Sequence, residues 1–138
     1  MKTSGEDSSP SSYEGRQEHI RDLRLPDLET WENKYPDRDY QIHLEIPEFN
    51  CICPKTGLPD FATISLDYVP EKKCVELKSL KLYITAFRNV GIFHEHAVNK
   101  ILDDFVRACR PRGAEVIGEF TPRGGITTVV TASYDGPA

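Results

Sequence analysis

Four short segments of this 138-residue chain carry residue types suited to chemistry. The first is Cys53-Pro54-Lys55-Thr56-Gly57-Leu58-Pro59-Asp60. A cysteine in a turn-rich loop is accessible, and a neighbouring lysine favours the thiolate, the nucleophilic form. The Thr-Gly turn and Pro59 can fold the loop back and bring the Asp60 carboxyl near the sulfur, where it could deliver protons to a covalent adduct. The plainer alternative is a small apolar residue at 53 and a turn-capping aspartate at 60. The second segment is Phe93-His94-Glu95-His96. Glu95 can accept two N–H bonds from a planar heterocycle. Alternatively it is an acidic residue in a first helical turn, favoured there by the helix dipole. His94-x-His96 and Cys51-x-Cys53 also supply zinc-type ligands, at spacings shorter than those of zinc fingers.

The third segment, Val75-Glu76-Leu77-Lys78-Ser79-Leu80-Lys81, places a carboxylate and two lysines at a helix start. Helix N-termini and lysines together receive phosphates. An ordinary capped amphipathic helix with solvated lysines has the same pattern. The fourth is Pro122-Arg123-Gly124-Gly125. Two glycines let a ligand approach the backbone, and Arg123 suits a phosphate. Gly-Gly is equally a hairpin turn. The segment is not a GxGxxG fingerprint and sits between two strands, so no dinucleotide-binding βαβ unit is implied.

The elements that must position these segments follow from periodicity. Tyr40, Ile42, Leu44 and Ile46 alternate with polar residues, predicting a half-buried strand that Pro47 ends. A loop over residues 49–60 follows. Ile64, Leu66 and Tyr68 predict a second strand, stopped by Pro70. Leu80, Tyr83, Ile84 and Phe87 have helical spacing, with Ser79 as the expected N-cap and Gly91 beyond the helix end. Val98, Ile101, Leu102, Phe105, Val106 and Cys109 form the apolar stripe of a second helix, terminated by Pro111 and Gly113. Glu115–Phe120 and Ile126–Tyr134 predict two more strands around the turn that carries Arg123. The order β-β-α-α-β-β reads as an α+β domain with an antiparallel four-stranded sheet and two helices on one face.

Composition narrows the function classes. The net charge is −5, and most of the acidic excess sits in the first 40 residues. A basic nucleic-acid-binding face is therefore not expected. No apolar run approaches the roughly 20 residues of a membrane span. Met1 leads into a polar, acidic stretch without an apolar signal core, so a cytoplasmic protein is expected, with its four cysteines as thiols, ligands or a nucleophile in preference to disulfides. Residues 1–35 read as a flexible acidic leader and 36–138 as the single domain. Leu23, Leu25, Leu28 and Trp31 are candidates to dock onto that domain as a strap.

The four segments occur in the same order in the short form of the NADPH-dependent 7-cyano-7-deazaguanine reductases, the nitrile reductases of queuosine biosynthesis. The chain resembles that family over about residues 36–135. The resemblance implies a tunnelling fold whose subunits join their sheets into a barrel, in two stacked pentamers. It implies that Cys53 adds to a nitrile carbon to form a thioimide and that Asp60 is the proton donor. Val75, Glu76, Leu77, His94 and Glu95 would hold the small-molecule deazapurine. Leu77, Lys78, Arg123 and Gly124 would lie against NADPH, and no metal, nucleic acid or membrane would take part. The chain departs from the family at Leu77, where serine is more usual, and at Ala97, where some members carry cysteine. Cys51 is an additional thiol. The competing readings are a non-enzymatic purine- or pterin-binding module on the same fold and a zinc-dependent cyclohydrolase relative.

Overall fold

Alternating apolar residues build a central sheet in the computed structural model, which describes residues 17–137. In chain order the elements are β1 (Thr30–Glu32), β2 (Ile42–Ile52), β3 (Pro59–Val69), β4 (Lys73–Val75), α1 (Leu77–Thr85), α2 (His94–Cys109), β5 (Gly113–Arg123) and β6 (Ile126–Tyr134). A 3-10 helix, Ala86–Asn89, follows α1. The sheet is antiparallel in the order β2-β3-β5-β6. One face buries Ile64, Leu66 and Tyr68 of β3 with Val116 and Phe120 of β5. Against it lie Val98, Ile101 and Phe105 of α2 and Leu80, Tyr83 and Ile84 of α1. The expected α+β architecture is thus present.

The structure extends or corrects the expected boundaries at six places. Pro47 does not end its strand. The register passes from Ile46↔Ile64 to Phe49↔Ala62, so Pro47 and Glu48 together oppose one residue of β3. This is a β-bulge on an edge strand, where the missing proline N–H costs no ladder bond. Because of the bulge, Ile42, Leu44 and Ile46 face the core before it, and Phe49 and Cys51 after it. The loop expected over 49–60 is accordingly only the 53–58 turn of a hairpin.

The cap of α1 is Glu76 and not Ser79. The Ser79 hydroxyl donates to Glu76 O at 2.8 Å and accepts the Glu29 N–H at 2.9 Å. The first helix gives way to the 3-10 turn before Phe87, which is buried there. The expected turn at 71–73 runs into β4, which pairs with β1 in a separate two-stranded sheet through Thr30↔Val75 and Trp31↔Cys74. Residues 17–35, read from composition as part of a leader, lie against the domain. Ile20, Leu25 and Leu28 pack on the core, whereas Trp31 is 53% exposed and does not dock. The remainder of that leader, residues 1–16, lies outside the described residues.

Candidate active site

The β2–β3 hairpin sets Cys53 at its turn. The Cys53 N–H donates to Leu58 O at 2.8 Å, and the Gly57 N–H donates to Cys53 O at 2.8 Å. Gly57 has φ 73°, a left-handed conformation that a side chain would strain. The thiol is half-buried, and this burial alone would push its pKa up. Hydrogen bonds from the Thr56 hydroxyl and from the backbone N–H groups of Thr56 and Lys55 outweigh it, and the thiol titrates below the usual range. Cys51, two residues earlier, is fully buried, donates to Ile92 O at 3.8 Å, and is pushed up to about 12 by that burial. Of the two neighbouring thiols, only Cys53 is activated.

Asp60, the second residue of β3, is 5% exposed. Its Oδ2 meets His94 Nε2 at 3.0 Å, and its Oδ1 accepts from Arg123 Nε at 3.0 Å, with Arg123 Nη2 at 2.7 Å. Arg123 Nη2 also donates to Pro59 O. The His94 ring stacks on Phe120, with centroids 3.8 Å apart and planes within 9°. A backbone bridge brings the start of α2 to this place. The Ile52 N–H donates to Val90 O at 2.9 Å, and the Ile92 N–H donates to Ile52 O at 3.0 Å. The residue before Cys53 is thereby tied to the segment leading into His94.

These groups surround a cavity of about 300 Å³. Cys53 and Thr56 line it from the turn, Asp60 from β3, Phe93, His94 and Glu95 from the start of α2, and Arg123 from the end of β5. Five expected site residues therefore meet: Cys53, Asp60, His94, Glu95 and Arg123. Gly124 stands beside Arg123 at φ 58°, with open space where a Cβ would be. Phe120 and Thr56 were not foreseen. Phe120 reads as core from its place on β5, and nothing in the spacing of the cysteine motif singles out the Thr56 hydroxyl.

Val75, Glu76, Leu77 and Lys78 do not line this cavity. Val75 is buried at the end of β4, its N–H donating to the Tyr68 hydroxyl at 3.1 Å. Glu76 accepts the Ser79 N–H at 2.7 Å and the Lys78 N–H at 2.9 Å, bonds that hold its carboxyl below the usual range. Leu77 and Lys78 are exposed on the first turn of α1. His94 and His96 point apart, His94 to Asp60 and His96 to Gln17 at 2.9 Å. No group of three or more His, Cys, Asp or Glu placed to hold a metal ion is found among the described residues.

An antiparallel α+β sheet backed by two helices, with an activated thiol beside a buried carboxylate at its end, defines the class. A family model described as QueF-like protein matches residues 59–138. A 7-cyano-7-deazaguanine reductase, NADPH-dependent, from Chloroherpeton thalassium is 62% identical over 108 residues, covering 78% of this chain and 93% of the relative. Its counterpart from Elusimicrobium minutum is 55% identical over 112 residues, covering 81% and 84%. The apo crystal structure of the archaeosine synthase QueF-Like superposes with a TM-score of 0.66 at 20% identity, covering 71% of this chain and 96% of that one, and shares its fold. The chain belongs to the QueF-like family.

Proposed function

We propose that this protein reduces the nitrile of 7-cyano-7-deazaguanine to an aminomethyl group at the expense of two NADPH, in queuosine biosynthesis. The named relatives support the reaction. The observation that carries it in this chain is the activated Cys53 thiol on a cavity shared with Asp60, His94 and Glu95. A nitrile is a poor hydride acceptor. The Cys53 thiolate adds to its carbon while a proton goes to nitrogen, giving a thioimide. NADPH, when bound, supplies one hydride to the thioimide carbon and a second to the later imine. Between the two reductions nitrogen gains a proton and the C–S bond breaks with its electron pair going to sulfur, which returns the thiolate and leaves the imine protonated. Two hydrides and two protons thus convert nitrile to amine. Asp60 is the proton donor, and Glu95 accepts the adjacent N–H groups of the heterocycle. Arg123, beside the open Gly124–Gly125 turn, has the charge and access to receive cofactor phosphate.

Val75–Lys78 serve a second copy of the chain in this reading. Among the described residues, no strand pairs with the outer edge of β6, the outer edge of β2 carries only the bridge at Ile52, and Phe61, Ile126 and Val129 are exposed on the sheet. Subunits that continue the sheet into rings cover such edges. Two stacked pentamers then place the first turn of α1, with Glu76, Leu77 and Lys78, at a neighbour's Cys53 cavity. Catalysis belongs to one domain over 36–138, and the protein acts in the cytoplasm. The test is to mix the protein with 7-cyano-7-deazaguanine alone and read intact mass. A covalent adduct that disappears on adding NADPH supports the reading, and no adduct together with no NADPH oxidation refutes it. Sedimentation of a stable, active monomer refutes the shared site.

A further inference from the structure

The first turn of α2 presents His94 and Glu95 to the cavity, yet this helix has no cap of its own. Phe93 stands at the N-cap, and no side-chain bond from it reaches the turn. Helix N-termini left this way have N–H groups without partners and fray. Here the partner comes from far away in sequence. Gln17 Nε2 donates to Gly91 O at 3.0 Å. Gln17 Oε1 accepts the Phe93 N–H at 3.4 Å and meets His96 Nδ1 at 2.9 Å. One amide therefore spans the approach to α2 and its first turn. The same segment is held again further along the helix. Lys100, 5% exposed, donates to Arg21 O at 3.1 Å and to Asp104 at 3.2 Å. A buried ammonium stripped of an acceptor is costly, so this second tie fixes where the segment lies on α2.

We infer that residues 17–28 are a strap along α2 and that Gln17 is a positioning residue, capping the helix so that His94 and Glu95 are set for the heterocycle. The inference rests on the deazapurine reading for its binding measurement. Its physical content is a separation of two functions. Cys53 is held and activated by its own hairpin turn, whereas recognition of the base depends on the α2 terminus. Loss of the Gln17 amide therefore weakens recognition and leaves the thiol alone.

The experiment uses the full chain with Gln17→Ala and Gln17→Glu. Affinity for 7-cyano-7-deazaguanine is measured by calorimetry in a Cys53→Ala background. The rate of Cys53 alkylation by iodoacetamide is measured with Cys53 intact. Gln17→Ala should bind about tenfold more weakly, with alkylation within about twofold of the parent. Gln17→Glu keeps both acceptor roles of Oε1 but loses the Nε2 donation to Gly91 O, and should bind more tightly than Gln17→Ala and more weakly than the parent. Unchanged affinity in Gln17→Ala overturns the inference, as does alkylation that moves in step with affinity, because a general loosening would move both. If the parent itself does not bind the nitrile, the substrate reading fails and the strap is judged separately by amide hydrogen exchange. Residues 94–97 should then exchange faster in Gln17→Ala, and unchanged exchange there overturns it.

Discussion

Asp60 Oδ2 and His94 Nε2 meet at 3.0 Å, joining the first turn of α2 to the start of β3 across 34 positions of sequence. The other carboxylate oxygen is taken by the Arg123 guanidinium. Both oxygens of a nearly inaccessible carboxylate thus face nitrogen groups on different elements. Such a group is held in one orientation, as proton transfer at a defined atom requires. For Asp60 to deliver a proton into the cavity, one partner must let go. Arg123, next to the Gly124–Gly125 turn and partly exposed, is the freer of the two.

For the proposed role of Asp60 as proton donor, Asp60→Asn keeps the shape and removes the acid group. Turnover should fall about 100-fold or more, with substrate still bound. Arg123→Ala should raise the KM for NADPH about tenfold. Steady-state kinetics checks both, and an unchanged KM takes Arg123 out of the cofactor site.

The hydrogen bonds at Cys53 stabilise its thiolate, so alkylation should rise with pH around a midpoint below that of an ordinary cysteine. Thr56→Ala removes the hydroxyl donor and should move that midpoint upward. Cys53→Ala should abolish adduct and turnover. Cys51→Ala should retain both while losing about 1 kcal/mol of stability from the packed interior. Adduct on Cys51 in an intact-mass and peptide map would reverse the assignment.

Glu76 caps α1 through two backbone N–H groups, and its pKa lies below the unfolded value. Its contribution to stability is therefore present above the unfolded pKa and lost as pH falls through the folded one. Glu76→Ala should lower the thermal midpoint at neutral pH, and the difference from the parent should shrink as the solution is acidified below about pH 4. A difference that grows on acidification contradicts the capping role.

Gly118 lies where α2 crosses the sheet. An alanine Cβ there would stand 2.7 Å from Val98 Cγ2 and 3.0 Å from Phe120 Cε1. Both neighbours are buried, so Gly118→Ala must displace α2 or the Phe120 ring on which His94 stacks. A loss of about 1–3 kcal/mol is expected in denaturant unfolding, together with weaker substrate binding. Parent-like values of both would show that the helix accommodates the methyl group.

The alternation of Ile64, Leu66 and Tyr68 and the stripe from Val98 to Cys109 are properties of neighbours along the chain, and both elements were legible from sequence. So were the motifs around Cys53, His94 and Arg123, since each is a contiguous string. The choice between Cys51 and Cys53 was legible only through the resemblance. In the structure the two thiols differ because the bulge at Pro47 and Glu48 turns Cys51 into the core, while turn N–H groups that no spacing rule reveals lower the Cys53 pKa.

Other features depended on partners remote in sequence. Ser79 looked like the cap of α1, but its hydroxyl is engaged with Glu29 and the Glu76 carbonyl, which leaves the capping to the Glu76 carboxylate. The three-residue strands β1 and β4 are too short to signal themselves and exist because each satisfies the other's backbone. Sequence alone determined which residues are chemically capable and the order of the long strands and helices around them. The tertiary structure decided which of them meet. The pairing of β3 with β5 sets Ala62 opposite Phe120, bringing Asp60 beside Arg123, and the bridge at Ile52 brings His94 to both. Pairing register is a property of the whole sheet, where hydrogen bonds and burial are satisfied together, and no local string of residues encodes it.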